Sequence, residues 1–242
     1  MIRGAEWSAT GKPGIRSVER IELCVSDADW PFADRYRRAI EDNFAALRAA
    51  RPALFNGAMY MLREFKIAAG VLTGVLVRTD YASYLYWRER PALDPGIRNC
   101  FAAAVLHSAD GALLLGIMGA HTANAGMIYP PSGSPEDGDI VAGRFDPAGN
   151  IAREVAEETG IRLDAGGGGD WLVVEDGPRM ALLSRFDLAG DADEAVRAID
   201  AHRRREAEPE LAGIHVVRGR GDIVPGRMQA YTRAYIERVF AR

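Results

Sequence analysis

Arg153-Glu154-Val155-Ala156-Glu157-Glu158-Thr159-Gly160-Ile161 places three glutamates within five consecutive positions. At ~100° per residue, Glu154, Glu157 and Glu158 share roughly a 100° arc of one helix. Ala148, Ile151, Ala152, Val155 and Thr159 fall on the adjoining arc, so one side can pack while an acidic edge faces a cleft. Like charges at this spacing repel by about 3 kcal/mol per pair at an intermediate dielectric. A hard divalent cation turns that cost into binding, because Mg²⁺ and Ca²⁺ prefer clustered carboxylate oxygens. An acidic run is more often a solvated helical face. The Arg, the Gly and the apolar residues at fixed offsets around these acids weigh against that here. Upstream, Asp146-Pro147 opens the helix, Asp as N-cap and Pro in the first position. Gly160 suits a left-handed cap at its end.

Working outward, the C-terminal part alternates strands and helices. Cys100–Ser108 and Ala112–Gly119 read as strands joined by the hairpin signal Ala109-Asp110-Gly111. Gly126–Tyr129 is a short strand leading into a turn-rich loop, Pro130–Gly143. Beyond the acidic helix, Gly166–Gly169 reads as a flexible loop without the context of a phosphate-cradling motif. Trp171–Glu175 and Met180–Phe186 flank a Gly177-Pro178 turn; Asp191–Arg205 is a helix, Gly213–Arg218 a strand and Met228–Phe240 a closing helix. In the N-terminal part, Val18–Val25 reads as a strand and Trp30–Ala50 as a helix with Asp27 or Asp29 as its cap. Ala58–Lys66 and Gly70–Arg78 read as a strand pair, and Thr79-Asp80 starts a helix over Tyr81–Arg90. The turn Asp94-Pro95-Gly96 is the predicted seam. This gives a loose tail over 1–17, an N-terminal α/β extension over 18–97 and a catalytic-type domain over 98–242. Hairpin strands with helices inserted between them imply an α+β class with a mixed sheet.

Composition narrows the function classes. The 242 residues are 48% apolar, enough for a proper core, and the net charge is −4 with no basic block. Nucleic acid and anionic membrane are therefore not expected partners. Cys24 and Cys100 are the two cysteines, too few for a disulfide scaffold or an all-thiolate zinc site. No run reaches transmembrane length and the start lacks a signal-peptide stretch, so a reducing cytoplasm is the expected compartment. A homodimer is left open.

Arg153 to Ile161 resembles the second half of the Nudix box: Gly, five residues, Glu, seven residues, then Arg-Glu-apolar-x-Glu-Glu-x-Gly-apolar. The resemblance covers about residues 99–242 and implies an α/β/α sandwich around a mixed sheet. The first half departs from the pattern. Where the family places Glu, this chain has Phe145, with Asp146 beside it as a substitute or merely a cap. The best-placed Gly is Gly133, in Tyr129-Pro130-Pro131-Ser132-Gly133, so about six residues are inserted before the helix. Such an insertion resembles the animal Nudix subfamily that cleaves UDP-glucose and UDP-galactose. Thr79-Asp80-Tyr81 and Glu210-Leu211-Ala212-Gly213-Ile214 are similar to that subfamily's short secondary motifs.

The resemblance implies Mg²⁺, with Mn²⁺ as an alternative, on Glu154, Glu157 and Glu158, with Arg153 bracing the first. It implies hydrolysis of a nucleoside diphosphate linked to a second moiety, a UDP-sugar first, giving a nucleoside monophosphate and a sugar 1-phosphate. ADP-ribose, a dinucleotide or a coenzyme is the alternative substrate, and a nucleotide-binding regulatory module without turnover is the alternative of another class. Glu154 or Glu210 is the candidate general base, with Glu206 and Glu208 competing. Tyr81, Tyr129, Ser132 and Gly133 are the candidate substrate-binding residues. Tyr84, Tyr86 and Trp87 offer either a base-stacking face or core packing. His121-Thr122-Ala123-Asn124 offers groups for sugar hydroxyls, and Arg218 or Arg220 a phosphate contact. His107, His202 and His215 read as structural.

Overall fold

The computed structural model describes residues 13–28, 30–52, 54–163 and 170–241. The chain folds as α+β around two sheets. The larger holds β1 (Gly14–Val18), β11 (Trp171–Asp176), β12 (Arg179–Asp187), β5 (Asn99–His107), β6 (Leu113–Met118) and β13 (Leu211–Val217) in that order. The short strands β7 (Ile128–Tyr129) and β8 (Ser132–Gly133) attach to β6 and β5. β5 runs parallel to β12 and antiparallel to β6, so the sheet is mixed as expected. The smaller sheet has the order β3 (Ala58–Ala68), β4 (Val71–Asp80), β2 (Arg20–Val25), β10 (Arg144–Phe145) and β9 (Ile140–Val141).

Side-chain alternation along β5 builds the layers, since successive residues face opposite sides of a sheet. Every residue of β5 is buried. Cys100, Ala102, Ala104 and Leu106 face one core with Ile151 and Val155 of α4 (Pro147–Thr159) and Ala192 of α5 (Ala192–Arg203). The same core takes Leu23, Leu62, Leu72 and Leu76 of the smaller sheet. Phe101, Ala103 and Val105 face the other way, onto Tyr231, Tyr235 and Ile236 of α6 (Ala230–Val239). The larger sheet is thus sandwiched between helices. A third core lies on the far side of the smaller sheet, against α1 (Pro31–Arg35), α2 (Arg37–Ala50) and α3 (Tyr81–Arg88). No helix among the described residues is long and apolar enough to cross a membrane.

Four expectations need correction. Val18–Val25 is not one strand: the chain bends at Glu19, β1 pairing with β11 in the larger sheet and β2 with β4 in the smaller. The bend is fastened by the backbone N–H groups of Glu19 and Arg20, both donating to the Gly70 carbonyl. Residues 14–17 therefore belong to a strand, not to a loose tail; residues 1–12 lie outside the described residues, as do Asp29 and the 166–169 loop. The Trp30–Ala50 helix is interrupted at Tyr36, which leaves helical geometry where its ring meets Phe32 at 4.7 Å and Tyr86 at 6.0 Å. Its start is capped by Trp30 without a side-chain bond, not by Asp27. The 97/98 division, finally, does not separate the sheets. β1 joins the larger sheet, and β9 and β10 of the inserted segment join the smaller.

Candidate active site

The acidic helix α4 forms as its flanking residues dictate. Asp146 Oδ1 accepts from Gly149 N at 3.0 Å, Pro147 fills the first turn, and Gly160 caps the end at φ 71°. Ile151 and Val155 pin the buried side, which leaves Glu154, Glu157 and Glu158 along the edge that meets β8 and the loop before β13.

Glu158 is buried, 4% exposed. Its Oε1 accepts from Ser132 N at 3.3 Å, and its Oε2 has no donor among the described residues. Burial raises its carboxyl well above the usual range, and the charges of Glu210 and Glu154 add to this. Burial also pushes Glu154 up to about 7, opposed by Arg153 and helped by Glu157 and Glu210. Glu210 is raised by burial against the pull of His121. These carboxyls therefore sense one another although Glu210 comes from a distant part of the chain. Glu157, Glu158, Glu206, Glu208 and Glu210 line a cleft of about 440 Å³.

Strand β8 passes so close to α4 that only glycine fits at position 133. A methyl group there would fall within the Glu154 carboxylate. Gly133→Ala is expected to displace Glu154 or the strand and to destabilise the protein by about 1–3 kcal/mol. Urea denaturation checks this; an unchanged midpoint would mean that β8 and Glu154 have room for a side chain between them.

Arg153 is the hub of the acidic edge. Its Nη2 lies 2.9 Å from Glu154 Oε1, 3.0 Å from Asp139 Oδ2 and 3.3 Å from Glu136 Oε1, and its Nη1 lies 3.1 Å from Glu157 Oε2. Asp146 does not pair with it and serves only as the helix cap. Phe145 is packed in the core under α4. Two acids meet Arg153 from outside the helix, the buried Asp139 and the exposed Glu136, and neither is expected from the sequence. Nothing local distinguishes Asp139 from Asp137; what selects it is the path of the inserted segment.

A second cavity of about 180 Å³ adjoins the acidic cleft, and Glu210 lines both. All four candidate substrate-binding residues, Tyr81, Tyr129, Ser132 and Gly133, line it. Arg88, Asn99, Asn124 and Arg179 also line it, and of these only Asn124 is expected from the sequence. Asn124 Nδ2 donates to Tyr129 Oη at 3.2 Å and Asn99 Nδ2 to Tyr84 Oη at 3.1 Å. Tyr86 and Trp87 do not reach the cavity. Trp87 is buried with Nε1 on the Asp94 carbonyl at 3.1 Å, and Tyr86 packs on Phe32 and Arg90. Arg218 is paired with Asp110 at 2.5 Å, and Arg220 donates to the Glu237 carbonyl at 3.1 Å, so neither is placed at the cleft. His107 bonds Tyr235 Oη at 2.9 Å, and His215 bonds the Asp222 carbonyl at 2.8 Å, as structural histidines do. His202 bonds the Glu157 carbonyl at 3.0 Å and Glu206 at 3.1 Å, at the rim of the cleft.

The donor set suits a hard divalent cation: clustered carboxylates, one of them buried with a free oxygen. As they stand, no three such groups among the described residues already converge on one point. Arg153 pairs with both Glu154 and Glu157.

No family model matches this sequence, and no curated protein does. Among solved structures, the chain is similar to a MutT protein from Methanosarcina mazei Go1, at 22% identity over 59% of this chain and 92% of that one, TM-score 0.39. It is similar to the Nudix hydrolase RenU from M. smegmatis, at 16% identity over 60% of this chain and 86% of that one, TM-score 0.35. A bifunctional NMN adenylyltransferase/ADP ribose pyrophosphatase from Francisella tularensis shows 16% identity, TM-score 0.40, over 65% of this chain and 46% of that one. These are loose likenesses, and they fix no residue's role.

Proposed function

We propose that this chain is a divalent-cation-dependent hydrolase of the pyrophosphate bond in a nucleoside diphosphate linked to a second moiety, a UDP-sugar first. The observation that carries this is Glu158: a carboxyl buried at real cost, one oxygen free, facing Glu154 and Glu210. A protein has little reason to keep such a group unless a ligand compensates it. Glu154, Glu157 and Glu158 would hold Mg²⁺ or Mn²⁺, which when bound supplies charge neutralisation of the diphosphate and a polarised P–O bond.

The chain's own groups do the rest. Ser132 N–H fixes Glu158 through Oε1. Glu210, which lines both cleft and pocket, is the proposed base for the proton of an attacking water, with Glu154 as the alternative base. The water oxygen bonds phosphorus, the bridging P–O bond breaks, and its electrons leave with the departing phosphate. The products are a nucleoside monophosphate and a phosphorylated second moiety, a sugar 1-phosphate for a nucleotide sugar. The 180 Å³ pocket lies below the ~300–1,000 Å³ that enclose a drug-sized ligand, so it takes one end of the substrate. Tyr81 and Tyr84 offer a flat face, Asn99 and Asn124 amides for ring edges or hydroxyls, and Arg88 and Arg179 positive charge.

A nucleotide-sensing module without turnover was suggested by Phe145, where the box acid is missing. Asp139 on Arg153, in the pairing role of that acid, supports the turnover reading over the sensor. The test is a panel of UDP-glucose, UDP-galactose, ADP-ribose, a dinucleotide and a coenzyme with Mg²⁺, reading monophosphate release. UMP from the UDP-sugars is expected. Release from ADP-ribose alone would overturn the substrate, and no release from any compound would overturn the activity.

A further inference from the structure

We propose that Asp139 is a positioning residue that keeps the Arg153 guanidinium compensated when Glu154 and Glu157 turn from it to a cation, and that Arg78 and Tyr60 of the smaller sheet set it in place. The proposal rests on the cation reading above and concerns how this chain keeps its acidic edge available.

Arg153 faces four carboxylates, and they are not equivalent. The side chain of Asp139 is 3% exposed, whereas that of Glu136 is 51% and that of Glu157 60% exposed. Asp139 Oδ2 accepts from Glu136 N at 3.1 Å, Asn150 Nδ2 at 2.9 Å and Arg153 Nη2 at 3.0 Å, and Oδ1 takes Arg153 Nε at 3.3 Å. A buried, multiply held carboxylate keeps a guanidinium more firmly than one open to solvent. A cation that draws Glu154 and Glu157 away then leaves Arg153 still compensated. Without the Asp139 charge, Arg153 is left with the two glutamates and the exposed Glu136, so a cation competes with it for Glu154 and Glu157 on worse terms.

What fixes Asp139 comes from the other sheet. It ends the single 3₁₀ turn Asp137–Asp139. Asp137 accepts from Arg78 Nε at 3.0 Å, Arg78 Nη2 at 2.7 Å and Tyr60 Oη at 2.8 Å. Tyr60 N donates to the Pro135 carbonyl at 3.0 Å. On the far side, Asp146 N donates to the Asp139 carbonyl at 2.9 Å, tying the turn to the start of α4. The turn is thus stapled between Arg78 and the acidic helix. The Arg78–Asp137 pair is about half exposed, so it adds little to stability, but its forked geometry fixes direction.

The experiment titrates Mn²⁺ by calorimetry into wild type, Asp139→Asn, Asp137→Asn and the double variant Asp139→Asn with Arg153→Gln, with thermal melts of each. Asp139→Asn is expected to weaken Mn²⁺ binding by about 10–100-fold. Asp137→Asn is expected to weaken it by a smaller factor at nearly unchanged melting temperature. The double variant is expected to recover most of the lost affinity, because the competing guanidinium is gone; loss of a merely structural bond would not be repaired that way. Wild-type affinity in Asp139→Asn, or no recovery in the double variant, overturns the proposal. If Asp139→Asn does not fold, unchanged affinity in Asp137→Asn overturns it. Should wild type itself bind no Mn²⁺, the cation reading falls and this falls with it; if wild type binds and the variants bind equally, only the positioning role is lost.

Discussion

Glu158→Gln is expected to lose at least about 100-fold in kcat while melting higher than the parent protein. The loss follows if Glu158 is a cation ligand, since even supporting residues of metal sites are worth about 10–100-fold. The gain in stability follows from what the folded chain tolerates without a cation. Glu158 is 4% exposed with one oxygen unpartnered, and Glu154 and Glu210 lie close enough to repel it. Glutamine has the same shape. Its carbonyl keeps the Ser132 N–H, and its amide turns a repelling neighbour of Glu154 and Glu210 into a donor. Removing an uncompensated buried acid is worth about 1–2 kcal/mol, the usual gain where function holds a destabilising group. For a chain of this length that is a rise of about 2–6 °C. Calorimetry in EDTA measures the melt and monophosphate release measures turnover. A variant that melts lower, or turns over normally, would remove Glu158 from the chemistry.

The second large effect concerns the position where the sequence pattern that residues 153–161 resemble has an acid. Phe145→Glu restores that pattern on paper, yet it is expected to cost about 3–5 kcal/mol and to restore nothing. Phe145 sits in β10, 4% exposed, in the core beside Ile151 and Val155. A glutamate there would be an ion among aliphatic side chains, and Asp139 already fills the place on Arg153. Chemical denaturation measures the drop. A Phe145→Glu protein of parental stability with faster turnover would mean that the inserted segment is a defect rather than a replacement.

These two positions also mark how far the sequence could be read. The acidic helix was legible in full because its signals are local: Asp146, Pro147 and Gly160 act within a few residues of themselves, and the apolar arc follows from helical period. The β3–β4 hairpin was legible for the same reason, with Ala69 and Gly70 both at positive φ. The partner of Arg153 was not, because Asp137, Asp139 and Asp146 are alike in composition and only the path of residues 130–146 separates them. Nor was the division at Glu19: Val18–Val25 alternates without a break, and the bend comes from a carbonyl at Gly70. Tyr81 and Tyr84 could not be told from Tyr86 and Trp87 by spacing, since one helix gives rings to both the pocket and the core.

The bend at Glu19 has a consequence for the molecule's history. One continuous ribbon serves as the outer strand of the larger sheet and an inner strand of the smaller, and residues 140–145 travel back across. The amino-terminal portion is consequently not an appendage that could be gained or shed in one step. A protease nick between 94 and 98 would liberate no self-sufficient piece: one fragment would forfeit β1 and the other would surrender β10 and β9, the two short strands on one side of β2. Extension and insertion are interlaced, and a lineage that altered either would have had to refit the other.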